Sequence, residues 1–254
     1  MDPELGSMAD DPARFHTTRW SAILVAAQSQ LPGSQAALSE LCRLYWYPLY
    51  AFARRRGQGP FDAQDLTQGF FLHLLEHRAL KQARPLKGKF RSFLLASFQN
   101  FILDETSKAR CLKRGGDREF VFLDAEDAER RYGLEPADDL TAERIYDARW
   151  AMTLLGHAVE RLRREYAARD EMSRFDVLRV FVGVGEDKTL PSYEEVANSL
   201  RVGVGAAKTL IHRFRKQYAA ILREEIGRTV TDPAEIEQEI HALCDALVAA
   251  EGRI

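Results

Sequence analysis

Apolar residues recur at three- and four-residue spacing along most of the chain, the period of a helix with one buried face. Trp20, Ile23, Leu24 and Ala27 predict a helix over 19–30, broken by Leu31-Pro32-Gly33. From Ser34, a second carries Ala37, Leu38, Leu41, Leu44 and Tyr45 inward. Leu49, Phe52 and Ala53 continue its stripe past Pro48, which is read as opening a new turn rather than ending the element. Gly57-Gln58-Gly59-Pro60 is a break. A helix over 61–80 follows, with Leu66, Phe70, Phe71, Leu74 and Leu75 as its buried band. Asp62 is placed at its N-cap and Asp65 in its first turn. Leu72 stands among polar residues on another face and hints at a partner surface. Phe90, Leu94, Phe98, Phe101 and Ile102 then make a dense apolar face bordered by Lys87, Lys89, Arg91, Gln99, Asn100, Lys108, Arg110, Lys113 and Arg114.

Residues 117–139 break the pattern. They are acidic, interrupted by Gly133 and Pro136, and read as an exposed linker with one short turn. Ile145, Trp150, Leu154, Leu155, Ala158 and Leu162 predict a long helix over 141–166, its start unmarked by a capping-box acid. Another is expected over 175–182, ended by Gly183 and Gly185. Ser192-Tyr193-Glu194-Glu195 is a capping box opening a short helix with Val196, Ala197 and Leu200 inward. Gly203 and Gly205 supply a tight turn. A longer helix buries Ala207, Leu210, Ile211, Phe214 and Tyr218, and presents Lys208, Thr209, His212, Arg213, Arg215 and Lys216 on its other face. Short helix, turn and basic helix form the helix-turn-helix plan, suited to a DNA major groove. A last helix has Asp232 as cap, Pro233 first and Glu235 third, with Ile236, Ile240, Leu243, Leu247 and Val248 as its stripe. It is read as packing on its own domain, with a regulatory latch as the alternative.

The fold expected is all-α: two small helical domains, 8–114 and 141–228, an acidic linker over 115–140 and a helical extension over 229–254. Residues 1–7, MDPELGS, read as a cloning remnant. A chain of 254 residues with 46% hydrophobic content can bury such cores. The net charge of -2 makes any nucleic-acid surface local. Three scattered cysteines, Cys42, Cys111 and Cys244, argue against a disulfide framework or a cysteine zinc site and suit a cytoplasmic protein. No apolar run reaches membrane-spanning length, so no membrane association is expected.

Two local patterns suggest other chemistry. His73-Leu74-Leu75-Glu76-His77 matches an inverted zinc-protease motif, but no third ligand follows at helical spacing. GVGAAKT has Lys-Thr after glycines, but lacks the spacing of a nucleotide-binding loop and a preceding strand. Neither a metal, a cofactor nor a catalytic residue is expected. The basic and amide residues among aromatics over 87–110 suit single-stranded DNA instead: cations neutralise phosphates, and rings or amides engage bases.

The run D-x-Q-D-L-T-Q-x-F-F-x-x-L from Asp62, a basic loop, and F-x-S-F-L-x-x-x-x-x-N-x-x-x-D from Phe90 resemble the promoter-melting domain of bacterial sigma factors, the extracytoplasmic-function group above all. SYEEVA-x-SL…AAKTLIHRFR is similar to that group's second domain, in the same order. The resemblance implies a non-enzymatic initiation factor that binds core RNA polymerase and promoter DNA. It implies that Asp62, Asp65, Gln68 and Leu72 face the polymerase clamp. Lys87, Lys89, Arg91, Gln99, Asn100 and Arg110 would meet the melted minus-ten strand. Lys208, Thr209, His212, Arg213, Arg215 and Lys216 would meet minus-thirty-five duplex. An anti-sigma factor or other regulator is a further expected partner. Gly69, Phe93, Arg201 and Gly203 depart from the family's usual acid, tryptophan, glycine and capping hydroxyl. A helix-turn-helix regulator acting without polymerase, or a sigma-like adaptor that has lost promoter reading, are the alternatives.

Overall fold

The computed structural model describes residues 33–76, 89–111, 125–133, 140–183, 190–230 and 232–250. These form helices and turns, with no strand among the described residues, as the all-α expectation requires. The helix expected over 19–30 lies outside them.

Helix α1 (Gly33–Arg55) runs unbroken through Pro48. Leu44 to Ala53 is buried on every side, so packing outweighs the missing proline N–H. Gly57, with φ +87°, closes it: Gln58 N donates to Ala53 O and Gly57 N to Arg54 O. Helix α2 (Pro60–Glu76) starts one residue earlier than expected, and Ala63 N donates to Gly59 O. Pro60 therefore takes the first position, and Asp62 sits in the first turn instead of capping. Helix α3 (Phe90–Cys111) buries Phe90, Leu94 and Phe98 and half-buries Phe101 and Ile102. Phe98 meets Phe70 and Phe52 with ring centroids 5.0 and 6.1 Å apart.

The acidic stretch holds more than a turn. Residues 125–133 form helix α4 (Ala125–Gly133), docked on α1. Ala128 is buried, and Glu129 accepts hydrogen bonds from Arg54 Nε at 3.0 Å, Arg54 Nη2 at 2.8 Å and the Tyr50 hydroxyl. Arg131 lies over Tyr47 and Arg54 over Tyr132. Hydrogen bonds and cation–π contacts thus hold a segment that composition alone marks as solvated.

Helix α5 (Ala142–Ala167) is capped by Thr141, whose hydroxyl accepts from Arg144 N at 3.3 Å. Its two halves serve different cores. Ile145, Tyr146, Trp150 and Leu154 join α1, α2 and α3 in the first. Ala158, Leu162 and Tyr166 join helix α6 (Met172–Leu178), the 3-10 turn Arg179–Val182, helix α7 (Tyr193–Leu200) and helix α8 (Val204–Gly227) in the second. Gly183, at φ +79°, ends the 3-10 turn.

Helix α9 (Ile236–Ala250) follows a 3-10 turn in which Asp232 accepts from Ala234 N. The stripe is corrected at one position: Val248 is 66% exposed, while Leu243 and Ala250 are buried. These two belong to the first core, with Ile236, Ile240 and Leu247 packed against it. The extension therefore lies across α5 and the end of α8 and reaches beyond the helix-turn-helix core. The expectation that it covers only its own domain fails because its apolar stripe meets the N-terminal core.

Candidate nucleic-acid interface

The helix-turn-helix is built by three backbone devices. Ser192 Oγ accepts from Glu195 N at 3.2 Å, and Glu195 Oε2 accepts from Ser192 N at 2.7 Å, completing the capping box. Those bonds hold the Glu195 carboxyl below its ordinary range. Helix α7 ends with Val202 N donating to Ala197 O and Arg201 N to Asn198 O. That turn places Arg201 in the left-handed region, at φ 53° and ψ 46°. An arginine thus adopts the backbone for which glycine is usual, so the departure leaves the turn intact. Gly203 then enters α8 in extended conformation with no side-chain cap. The first turn of α8 therefore has no capping side-chain oxygen.

Ala207, Ile211 and Phe214 seat α8 on its core. Phe214 meets Tyr166 and Phe175 at 5.5 and 6.0 Å, and burial pushes the Tyr218 hydroxyl up to about 12. The opposite face carries the expected residues. Lys208, Thr209, His212, Arg213, Arg215 and Lys216 are all exposed. Lys208 Nζ stands 5.0 Å from the centroid of Tyr193, which ties the basic face to α7. Arg215 is also structural: its Nε donates to Phe181 O at 3.1 Å and its guanidinium overlies that ring. Gly203 and Gly205 open a helix that follows another helix, so GVGAAKT lacks the strand a nucleotide-binding loop needs.

On the N-terminal core, Asp62 and Asp65 are exposed, while Gln68 and Leu72 are half-buried. A groove of 460 Å³ between α2 and α3 is lined by Asp62, Asp65, Glu105, Leu66 and Phe101. Gly69 belongs to its floor. A β-carbon there would stand 3.3 Å from Phe101 Cζ. The missing side chain lets the α3 ring lie against α2, a packing reason for the departure at this position.

The residues expected to meet single-stranded DNA are less uniformly placed. Asn100 is exposed, and Gln99 Nε2 donates to Glu143 Oε1 at 3.3 Å. Arg110 lies in the last turns of α3, and Lys87 is outside the described residues. Lys89 and Arg91 face inward. Arg91 is 8% exposed. Its Nε donates to Glu239 Oε1 at 2.5 Å, its Nη1 to Asp147 Oδ1, and its guanidinium overlies Trp150. Lys89 Nζ is 2.6 Å from Glu239 Oε2, and Glu239 is 1% exposed. Phe90 N donates to Thr229 O, and the Tyr146 hydroxyl donates to Arg91 O. Burial pushes the Asp147 carboxyl above its ordinary range despite the charge of Arg91. Neither Asp147 nor Glu239 stood out in the sequence. Arg91 and Glu239 lie 148 residues apart, and no local pattern links them.

His73 packs its ring against Phe101 at 5.4 Å, and its motif partner His77 is outside the described residues. Among the described residues, no three His, Cys, Asp or Glu side chains are grouped to hold a metal. No helix among them is long and apolar enough to cross a membrane. Burial pushes the Cys42 thiol up to about 11, a weak nucleophile.

The family model for Sigma-70 region 2 matches residues 43–111, the segment spanning α1 to α3. The chain is 29% identical over 201 residues to the ECF RNA polymerase sigma factor SigE of Mycolicibacterium smegmatis, covering 78% of this chain and 67% of that protein. No solved structure matches the chain.

Proposed function

We propose that the chain is a sigma-70 family factor of the extracytoplasmic-function group and that it directs core RNA polymerase to promoters, on the region 2 match over 43–111 and the 29% identity to such a factor over 78% of the chain. The observation that carries the reading is order. A region 2 match over 43–111 is followed in one chain by a capped helix-turn-helix with a basic outer helix, and the likeness to the mycobacterial factor extends over 78% of the chain.

The α2–α3 face docks on the polymerase clamp through Asp62, Asp65, Gln68 and Leu72. Its acidic rim and the apolar floor of Leu66 and Phe101 suit a basic, partly apolar partner helix. Helix α8 enters the major groove upstream. Lys208, Arg213 and Lys216 neutralise phosphates, Thr209 and His212 face base edges, and Arg215 holds the Phe181 turn while remaining within reach of the backbone. Downstream, Lys87, Gln99, Asn100 and Arg110 engage the opened strand, joined by Lys89 and Arg91 once these part from Glu239. Strand opening is driven by binding energy and requires no covalent chemistry. An anti-sigma factor antagonises it by covering these surfaces, since one acidic groove and one basic helix both lie open to a partner.

The test is reconstitution with core polymerase and selection of transcribed sequences from a randomised promoter library. Enrichment of a two-block motif is expected. A library transcribed no differently from core alone would reject the proposal.

A further inference from the structure

The start of α3 is fastened to the C-terminal extension at three points. Glu239 on α9 takes Lys89 through one carboxylate oxygen and Arg91 through the other, at 2.6 and 2.5 Å. Phe90 N donates to Thr229 O, between α8 and α9. Leu243 and Ala250 are buried in the first core, which seats the helix over this contact. Glu239 is almost wholly removed from water, and burying a carboxylate is costly unless cations and hydrogen bonds meet it. The two cations that meet it here come from the strand-engaging set, and in sequence they follow directly on the basic stretch 81–88. A carboxylate bridging an ammonium and a guanidinium offers what a DNA phosphate would offer: two anionic oxygens at hydrogen-bond distance.

We propose that the C-terminal helix is a built-in competitor for the melted strand, with Glu239 occupying the phosphate position between Lys89 and Arg91 and leaving when promoter DNA enters. The proposal rests on the initiation reading above. Asp147 remains as a second partner for Arg91 once Glu239 departs, so the guanidinium is not stranded when the helix swings away. The helix is held at its edge by Arg223, which pairs with Glu237 on the exposed side. Release therefore breaks one exposed pair, the Glu239 bridge, the burial of Leu243 and Ala250 and the packing of Ile236, Ile240 and Leu247 on the first core.

The test uses the full chain, the variant Glu239→Gln and a chain ending at Val230, each titrated with a labelled single-stranded DNA of mixed sequence over a range of salt. Circular dichroism establishes that each variant is helical. The shortened chain is expected to bind about tenfold more tightly, as when a competent state rises from about a tenth to most of the population. Its salt slope steepens by about 1.4, for two phosphates at about 0.7 each. Glu239→Gln moves in the same direction by less. Changing Lys89 and Arg91 to glutamine in the shortened chain removes the gain. Should the shortened chain lose its helices, Glu239→Gln decides alone. Folded variants with the affinity and slope of the full chain would overturn the proposal. Capture of core polymerase by the full chain is scored in parallel. Capture without any DNA gain removes the competitor and leaves the initiation reading. A DNA gain without capture keeps the competitor and removes the initiation reading.

Discussion

Arg201 shows how a single side chain can be tolerated against its backbone preference. The left-handed region costs a residue with a β-carbon about 1–2 kcal/mol, part of which glycine would return as lost chain entropy on folding. Arg201→Gly is therefore expected to raise stability by about 0.5–1 kcal/mol, read as a higher midpoint in thermal or urea unfolding. An unchanged or lower midpoint would mean that the arginine side chain makes good the strain. Gly69 is the opposite case. The β-carbon of Gly69→Ala stands 3.3 Å from the Phe101 ring, and moving the ring costs about 1–3 kcal/mol, from which alanine's better helix propensity returns about 1 kcal/mol, for a net loss of up to about 2 kcal/mol. A shift of that size in the denaturant midpoint, absent from the double variant Gly69→Ala, Phe101→Leu, would localise the clash. From the sequence, both residues looked like damage to a motif. Their local reasons, a turn bond and a ring, depend on partners that spacing does not display.

At the level of elements, helices whose termini are chemically marked were legible. Ser192 with Glu195 and Asp232 with Pro233 named their own starts, because a cap acts within three residues. Ser192→Ala should lower stability by about 1 kcal/mol and weaken duplex DNA binding through a loosened α7, measured by unfolding and by fluorescence anisotropy. Helix α4 was not legible as a docked element. Its charges signalled solvent, whereas Glu129 is claimed by Tyr50 and Arg54 from a helix far away in sequence. Partial burial raises the Glu129 carboxyl, but hydrogen bonds from Arg54 and Tyr50 outweigh it, and its net shift is downward. A folded value below the unfolded one gives a stabilisation that is present above the ordinary glutamate range. It is lost as pH falls through the lowered value. Docking of α4 is thus expected to weaken on acidification, seen as a change in emission from Trp46, which stacks on Tyr50 at 5.3 Å. Glu129→Gln should show the undocked emission already at neutral pH. An acid transition identical in the variant would assign the change elsewhere.

For the whole molecule, the modest net charge conceals a sharp division of labour. Acidic residues line the α2–α3 groove, and basic ones cover the outer face of α8. Promoter affinity should fall steeply with salt, and each α8 cation that meets a phosphate should contribute about 0.9 to the slope. Lys208→Ala and Arg213→Ala are expected to flatten the slope by about that amount each in salt titrations of the polymerase complex. No flattening in either would move the duplex interface off this face. The two-block plan was readable because each block carries its own periodic stripe and motif. The closure between blocks was not, because it consists of pairs such as Arg91 with Asp147 and Arg91 with Glu239, which only the folded path brings together.

The shared helix α5 has a practical corollary. Because Trp150 and Leu154 serve one centre and Ala158 and Leu162 the other, along one continuous rod, the blocks are not beads that can be restrung at will. A hybrid that borrows its upstream reader from another factor must keep the rod's phase: a splice between Leu155 and His157 preserves both inward faces, whereas inserting a single residue there would turn one block by about 100° against the other.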